Sequence, residues 1–187
     1  MFLYFADKVK NNTLTKDRGL TVSDAVYGLT SSRNSLVVSY RSQPWLAVIS
    51  MDGKVLHQLD KSRKSQHFTL PDFMCTTPGG SVFISDNGTH TITKVDAQLN
   101  IIQTFTSPLL QEPCGITAVT EDQILVCSNS NHSIVLLQPS TNTMSTLLGE
   151  ADGIKWPYSL TYCPDQKKVY VTASHTGTSC IKVYQVS

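Results

Sequence analysis

The 187-residue sequence lacks any run of about 18 apolar residues, the length a membrane-crossing helix needs. No membrane partner is therefore expected. Its first residues, MFLYFADKVKNN, carry no basic group ahead of the apolar stretch and meet charge at Asp7, so they do not read as a secretory signal. Charge is sparse. Charged residues make up 16% and the formal net charge is +1, which excludes a chain-wide basic surface of the kind nucleic-acid binders carry. Glutamate is scarce while Thr, Ser and Val are frequent, a balance that favours strands over helices. The five cysteines contain no CxxC pair, which removes the usual spacing of a zinc module. Cys75, Cys127 and Cys163 lie in or beside apolar runs. They read as buried free thiols in a reducing compartment, and a cytoplasmic location is expected. Asn11-Asn12-Thr13, Asn87-Gly88-Thr89 and Asn131-His132-Ser133 match the glycosylation pattern, which carries little weight without a secretory signal. Glycine-rich phosphate loops, nucleophile elbows and paired loop carboxylates are absent from the sequence.

What is present is clearest from Glu112 to Gly149. Pro113-Cys114-Gly115 opens this stretch and Ile116–Val119 is a short apolar run. Glu121-Asp122-Gln123 is a polar turn, and Ile124–Cys127 is a second, fully apolar run. Ser128–His132 is a polar loop, Ile134–Leu137 a third run, Pro139–Asn142 a turn, and Met144–Leu148 a weaker fourth run. Four short strands joined by turn residues make a meander.

The unit recurs. Second runs begin at Leu36, Val82, Ile124 and Val169, spaced 46, 42 and 45 residues apart. Pro71, Pro113 and Pro157 precede the last three by 11, 11 and 12 residues, and His90 and His132 each follow their run's start by 8. A period of 40–50 residues with four strands per unit is the mark of propeller blades. The alternative is a β-sandwich with accidental periodicity. The second runs are apolar on both faces, as needed in a sheet packed between neighbours. The outer runs carry His57, Gln58, Gln103, Thr104, Ser145 and Thr146, as befits a solvent rim. The expected fold is all-β, a propeller of about four four-stranded blades that is incomplete and open. Units are expected at 25–67, 68–111, 112–153 and 154–187, the last without a fourth strand. Residues 1–24 are expected to form a partial N-terminal blade or a closing strand.

Asn131-His132-Ser133-Ile134, between the second and third runs, resembles the Asn-His-Leu signature of NHL repeats. Pro113–Ile116 and Ser85–Ile92 fit the wider pattern, whereas Arg41–Pro44 and His175–Thr178 depart from it. Within that family the Ser/Thr-rich chain most resembles the C-terminal propeller of tripartite-motif ubiquitin ligases. The resemblance implies a protein-binding module that recruits substrate. Ligase activity would belong to a RING domain that this chain does not contain, so the chain is expected not to be an enzyme and to need no cofactor. RNA binding is the alternative, and a metal-dependent propeller enzyme such as an amidating lyase is another. Open blade edges also point to self-association.

His90 and His132 stand at equivalent loop positions. They read as ligands of a central metal or as hydrogen-bonding groups that hold a turn. A metal wants three or four ligands, and the equivalent positions elsewhere are Pro44 and Gly177. Asp86 and Asn129 suit Asx turns. Lys61, Arg63, Lys64 and His67 form a basic connection that suits phosphate or an acidic protein, or simply solvent. Trp156 and Tyr158 either anchor a partner or seal the gap between blades. The candidate binding face thus comprises Arg41, Lys61, Arg63, Lys64, His67, Asp86, Asn87, His90, Asn129, Asn131, His132, Lys155, Trp156 and Tyr158, with no catalytic and no metal residue.

Overall fold

The computed structural model describes residues 2–10, 13–21, 25–32, 34–40, 44–59, 67–175 and 178–186. For residues 2–19, 21, 174–175 and 178–179 only the backbone is considered. Among the described residues, every regular element apart from one 3-10 turn at Glu150–Asp152 is a strand. No helix among the described residues is long and apolar enough to cross a membrane.

A long hairpin comes first, β1 (Phe2–Lys10) and β2 (Thr13–Thr21). The first blade is β3 (Val26–Ser32), β4 (Ser35–Tyr40), β5 (Trp45–Ser50) and β6 (Val55–Leu59). The second is β7 (Pro71–Thr76), β8 (Val82–Asp86), β9 (Thr91–Val95) and β10 (Ile101–Thr106). The third is β11 (Pro113–Thr120), β12 (Gln123–Ser128), β13 (Ser133–Gln138) and β14 (Thr143–Leu148). The last holds three strands, β15 (Pro157–Cys163), β16 (Lys168–His175) and β17 (Thr178–Gln185). All four sheets are antiparallel meanders in sequence order. Their first strands pack side by side in the order β3, β7, β11, β15, which is how blades line a central axis.

β4, β8 and β12 are buried on both faces because a neighbouring sheet covers each face, whereas β16 is covered on one face only, with Val169 and Val171 buried and Thr172 exposed. Val37, Leu46 and Val48 of the first blade meet Met74, Val82, Ile84 and Val95 of the second. Phe83, Ile92 and Phe105 of the second meet Ile116, Ile124, Val126 and Leu137 of the third. Leu125, Cys127 and Ile134 of the third meet Leu160, Val169 and Val171 of the last. Each such aliphatic or aromatic side chain contributes about 1.5–3 kcal/mol by leaving water, so the interfaces between blades hold the chain together. Trp45 begins β5 and lies buried, stacked on Tyr40 at 4.0 Å.

Among the described residues, the hairpin of β1 and β2 pairs with neither the first nor the last blade. Its two strands reach well past Phe5 and Thr15, because register shifts absorb the polar residues between. Leu20 on β2 joins Leu36, Val38, Tyr40, Trp45, Ala47 and Ile49, the first blade's face turned away from the second. That face is therefore buried, as a terminal repeat's outer face must be.

Candidate binding face

The loops that follow the second strands meet the chain entering the next blade's first strand. Two of these junctions are built alike. The Glu112 N–H donates to His90 Nδ1 at 2.8 Å, and the Trp156 N–H donates to His132 Nδ1 at 3.2 Å. In both pairs the histidine and its donor have positive φ: 56° and 49° in one, 50° and 40° in the other. Such backbone is uncommon for non-glycine residues, and two copies of it point to a repeated local solution. Each histidine fastens its blade to the next.

Most other polar candidates are occupied in the same way. Asp86 is fully buried and accepts four backbone N–H groups, from Thr69 (2.6 Å), Leu70 (2.9 Å), Gly88 (2.9 Å) and Thr89 (3.2 Å). Ser128 takes the equivalent place one blade on, its hydroxyl accepting the Gln111 N–H at 2.9 Å. The Asn87 N–H donates to the Leu70 carbonyl at 3.0 Å. The Asn129 side-chain amide donates to the Pro157 carbonyl, and that of Asn131 to the carbonyls of Pro108 and Leu109, each at 3.1 Å. Each bond satisfies a loop group that would otherwise have to face water.

What stays accessible is aromatic and basic. Tyr158 is 60% and Trp156 43% exposed. The Trp156 ring meets the His132 ring edge-on at 4.8 Å, and Tyr158 meets Phe73 edge-on at 5.4 Å. Lys155 lies 3.6 Å from the Glu150 carboxylate on the surface, a pair that adds little stability. His67 is exposed, but Phe68 beside it is buried in the core and offers no face for stacking. Arg41, Lys61, Arg63 and Lys64 lie outside the described residues. The face thus joins Asp86, Asn87, His90, Asn129, Asn131, His132, Trp156 and Tyr158 through junctions between blades. Sequence reasoning missed Phe73, Glu112 and Gly115. Gly115 had a signal, since Gly28 holds the same place in the first blade.

The chemistry available follows from this. Among the described residues no group of three or more His, Cys, Asp or Glu converges as a metal site would require. Burial, and then the neighbouring Cys114, push the Cys127 thiol well above its ordinary range. Cys114 itself donates to the Pro157 carbonyl at 3.2 Å. Both thiols are buried between the third and last blades.

No protein-family model matches the sequence, and no curated protein does. Solved structures do match. Hydrazine synthase of Kuenenia stuttgartiensis superposes with a TM-score of 0.72 at 15% identity, over 89% of this chain and 47% of that one. Virginiamycin B lyase of Staphylococcus aureus gives 0.65 at 16% identity, over 90% and 59%. The WD40 repeats of RRP9 give 0.68 at 15% identity, over 88% and 52%. The fold is that of β-propeller blades. The chain spans about half the length of these structures, and identities this low speak to fold alone. They also correct one expectation. The chain was expected not to be an enzyme, yet a lyase carries these blades at the same level of similarity as WD40 repeats. Propeller architecture therefore gives no ground for ruling catalysis out.

Proposed function

We propose that the chain is a protein-interaction module of NHL type, recruiting substrate for a tripartite-motif ubiquitin ligase in the cytoplasm. Residues 25–187 supply the blades and 1–24 a covering element. One observation carries the reading: Trp156 and Tyr158 stay exposed on a face where the side chains of Asp86, His90, Asn129, Asn131 and His132 are committed to the backbone. Trp and Tyr are the residues most often found at the centre of protein interfaces. The exposed rings are held by His132 and Phe73, so little side-chain freedom is lost on binding. The RNA reading draws on the basic residues 41, 61, 63 and 64. The described part of the face adds only Lys155 and His67 to them, and Lys155 is already paired with Glu150.

The test is quantitative co-purification from cells with wild type, Trp156→Ala and Tyr158→Ala. The expected result is loss of the same proteins from both variants, with unchanged melting temperature and less ubiquitin on those proteins when the chain is depleted. An unchanged protein set would overturn the interaction reading. Unchanged ubiquitin would overturn the ligase part alone. Salt-sensitive capture of RNA in place of protein would favour the rival.

A further inference from the structure

Trp156 and Tyr158 flank Pro157, and the backbone that carries them runs against its local preferences. Trp156 precedes a proline, which favours extended backbone, yet its φ is 40°. Left-handed backbone at a non-glycine residue persists only where its surroundings hold it. Tyr158 is the extra residue of a β-bulge. Pro157 pairs with Ala173 and Ser159 with Thr172, which leaves Tyr158 without a partner on β16. A bulge re-aims a side chain, and this one turns out a ring that is 60% exposed.

The hold comes mainly from the third blade. The Trp156 N–H donates to His132 Nδ1 at 3.2 Å. The Pro157 carbonyl, between the two rings, accepts from the Asn129 side-chain amide at 3.1 Å and from the Cys114 thiol at 3.2 Å. On the far side of Tyr158, Thr172 Oγ1 accepts the Ser159 N–H at 3.0 Å and donates to the Ser159 carbonyl at 3.2 Å. The bulge is thus pinned on both sides. The histidine bond recurs at the preceding junction, between His90 and Glu112. The carbonyl clamp does not. Among the described residues no side-chain amide reaches the Pro113 carbonyl, and Cys114, which stands there in the place of Tyr158, is buried. The clamped carbonyl therefore goes with the displayed rings rather than with the repeat.

We propose that Asn129 and Cys114 are positioning residues for the interaction face. By fixing the Pro157 carbonyl they set the spacing and direction of the Trp156 and Tyr158 rings before a partner arrives. This rests on the reading of those rings as the binding residues. Rings fixed in advance lose less freedom on binding, so the clamp contributes to affinity without touching the partner. Cys114 is buried between the third and last blades, out of any partner's reach. Asn129→Asp keeps the side chain's shape but offers the carbonyl an acceptor in place of a donor. Cys114→Ala removes the thiol donor, and Cys114→Ser replaces it with a hydroxyl.

The whole chain is tested twice. Fluorine NMR of the free chain labelled with fluorotryptophan reads the Trp156 line, assigned with Trp156→Phe. That line is expected to shift or broaden in Asn129→Asp and Cys114→Ala while the Trp45 line stays, and to move back in Cys114→Ser. The second measurement is recovery from cells of the proteins that Trp156→Ala and Tyr158→Ala both lose. Asn129→Asp and Cys114→Ala should each lower it about two- to tenfold, the range one hydrogen bond spans, and Cys114→Ser should lower it less than Cys114→Ala. Asp122→Asn, which loosens a turn outside the face, should change neither measurement. A Trp156 line unmoved by Asn129→Asp would overturn the proposal whatever the chain binds. So would recovery left intact by both clamp variants, or lowered equally by Asp122→Asn, the mark of lost stability alone. If the two ring variants lose no protein, the interaction reading itself falls and takes the proposal with it, a failure read without any clamp variant.

Discussion

The Phe73 and Tyr158 rings meet edge-on at 5.4 Å although their strands, β7 and β15, are separated by β11. Gly115 makes the contact possible. It sits on β11 at the position Phe73 holds on β7, and with no side chain it lets β15 approach closely. A Cβ there would lie 2.6 Å from the Ser159 Cα and 2.9 Å from the Tyr158 carbonyl oxygen. Gly28 makes the same kind of approach to β7, where a Cβ would lie 2.7 Å from the Asp72 carbonyl oxygen. Glycine here serves close packing of two backbones, since its φ is not in the left-handed region.

Gly115→Ala should therefore push β11 from β15 and cost about 1–3 kcal/mol, the usual range for overpacking. Urea unfolding measures it. Tyr158→Ala, at an exposed site, should cost less than the glycine substitution. A Gly115→Ala chain as stable as wild type would show that β15 moves freely, against the close approach described.

His90→Ala and His132→Ala should each lower stability by about 0.5–1.5 kcal/mol, the net worth of one hydrogen bond. Since the two junctions share no partner, the losses should add in the double variant within about 0.5 kcal/mol. Only His132→Ala should change Trp156 fluorescence, because only His132 touches that ring.

Asp122 and Asp96 carry an acid-side contribution to stability. The Ser140 hydroxyl and N–H, bonded to the Asp122 carboxylate at 2.5 and 2.6 Å, hold it below the ordinary carboxylate range. At Asp96 slight burial works upward, and hydrogen bonds from the Asn100 side chain and backbone and the Gln98 N–H outweigh it. A depressed folded pKa means stability present above the unfolded value of about 3.9 and lost as pH falls through the folded one. Asp96→Asn and Asp122→Asn should thus be less stable than wild type at neutral pH. The gap should narrow as pH falls below about 4. Thermal melts across that range test it, and a gap that widened toward acid would contradict the sign.

The thiols should divide by burial. Burial pushes the Cys75 thiol up to about 12, which leaves almost no thiolate at neutral pH. Cys75, Cys114 and Cys127 are buried, whereas Cys163 and Cys180 are partly accessible. Iodoacetamide at pH 8 should label Cys163 and Cys180 first, with the other three following only on unfolding. Peptide mass mapping of the labelled chain decides it.

The blades were legible in the sequence because a four-stranded sheet packed between neighbours writes its period directly. Leu36, Val82, Ile124 and Val169 recur with the same flanking turns, and each is buried near the start of its blade's second strand. The role of the equivalent histidines was not legible. His90 and His132 looked alike as ligands or as turn holders until the structure set Glu112 and Trp156 beside them, residues 22 and 24 positions away. The covering hairpin was hidden for a similar reason. β1 and β2 have strand composition, but nothing local in them says that Leu20 settles against Tyr40 and Trp45. Alternation and turn residues act along the chain and can be read along it. Which face of one blade meets which face of the next depends on contacts between segments dozens of residues apart. Only the folded chain decides those.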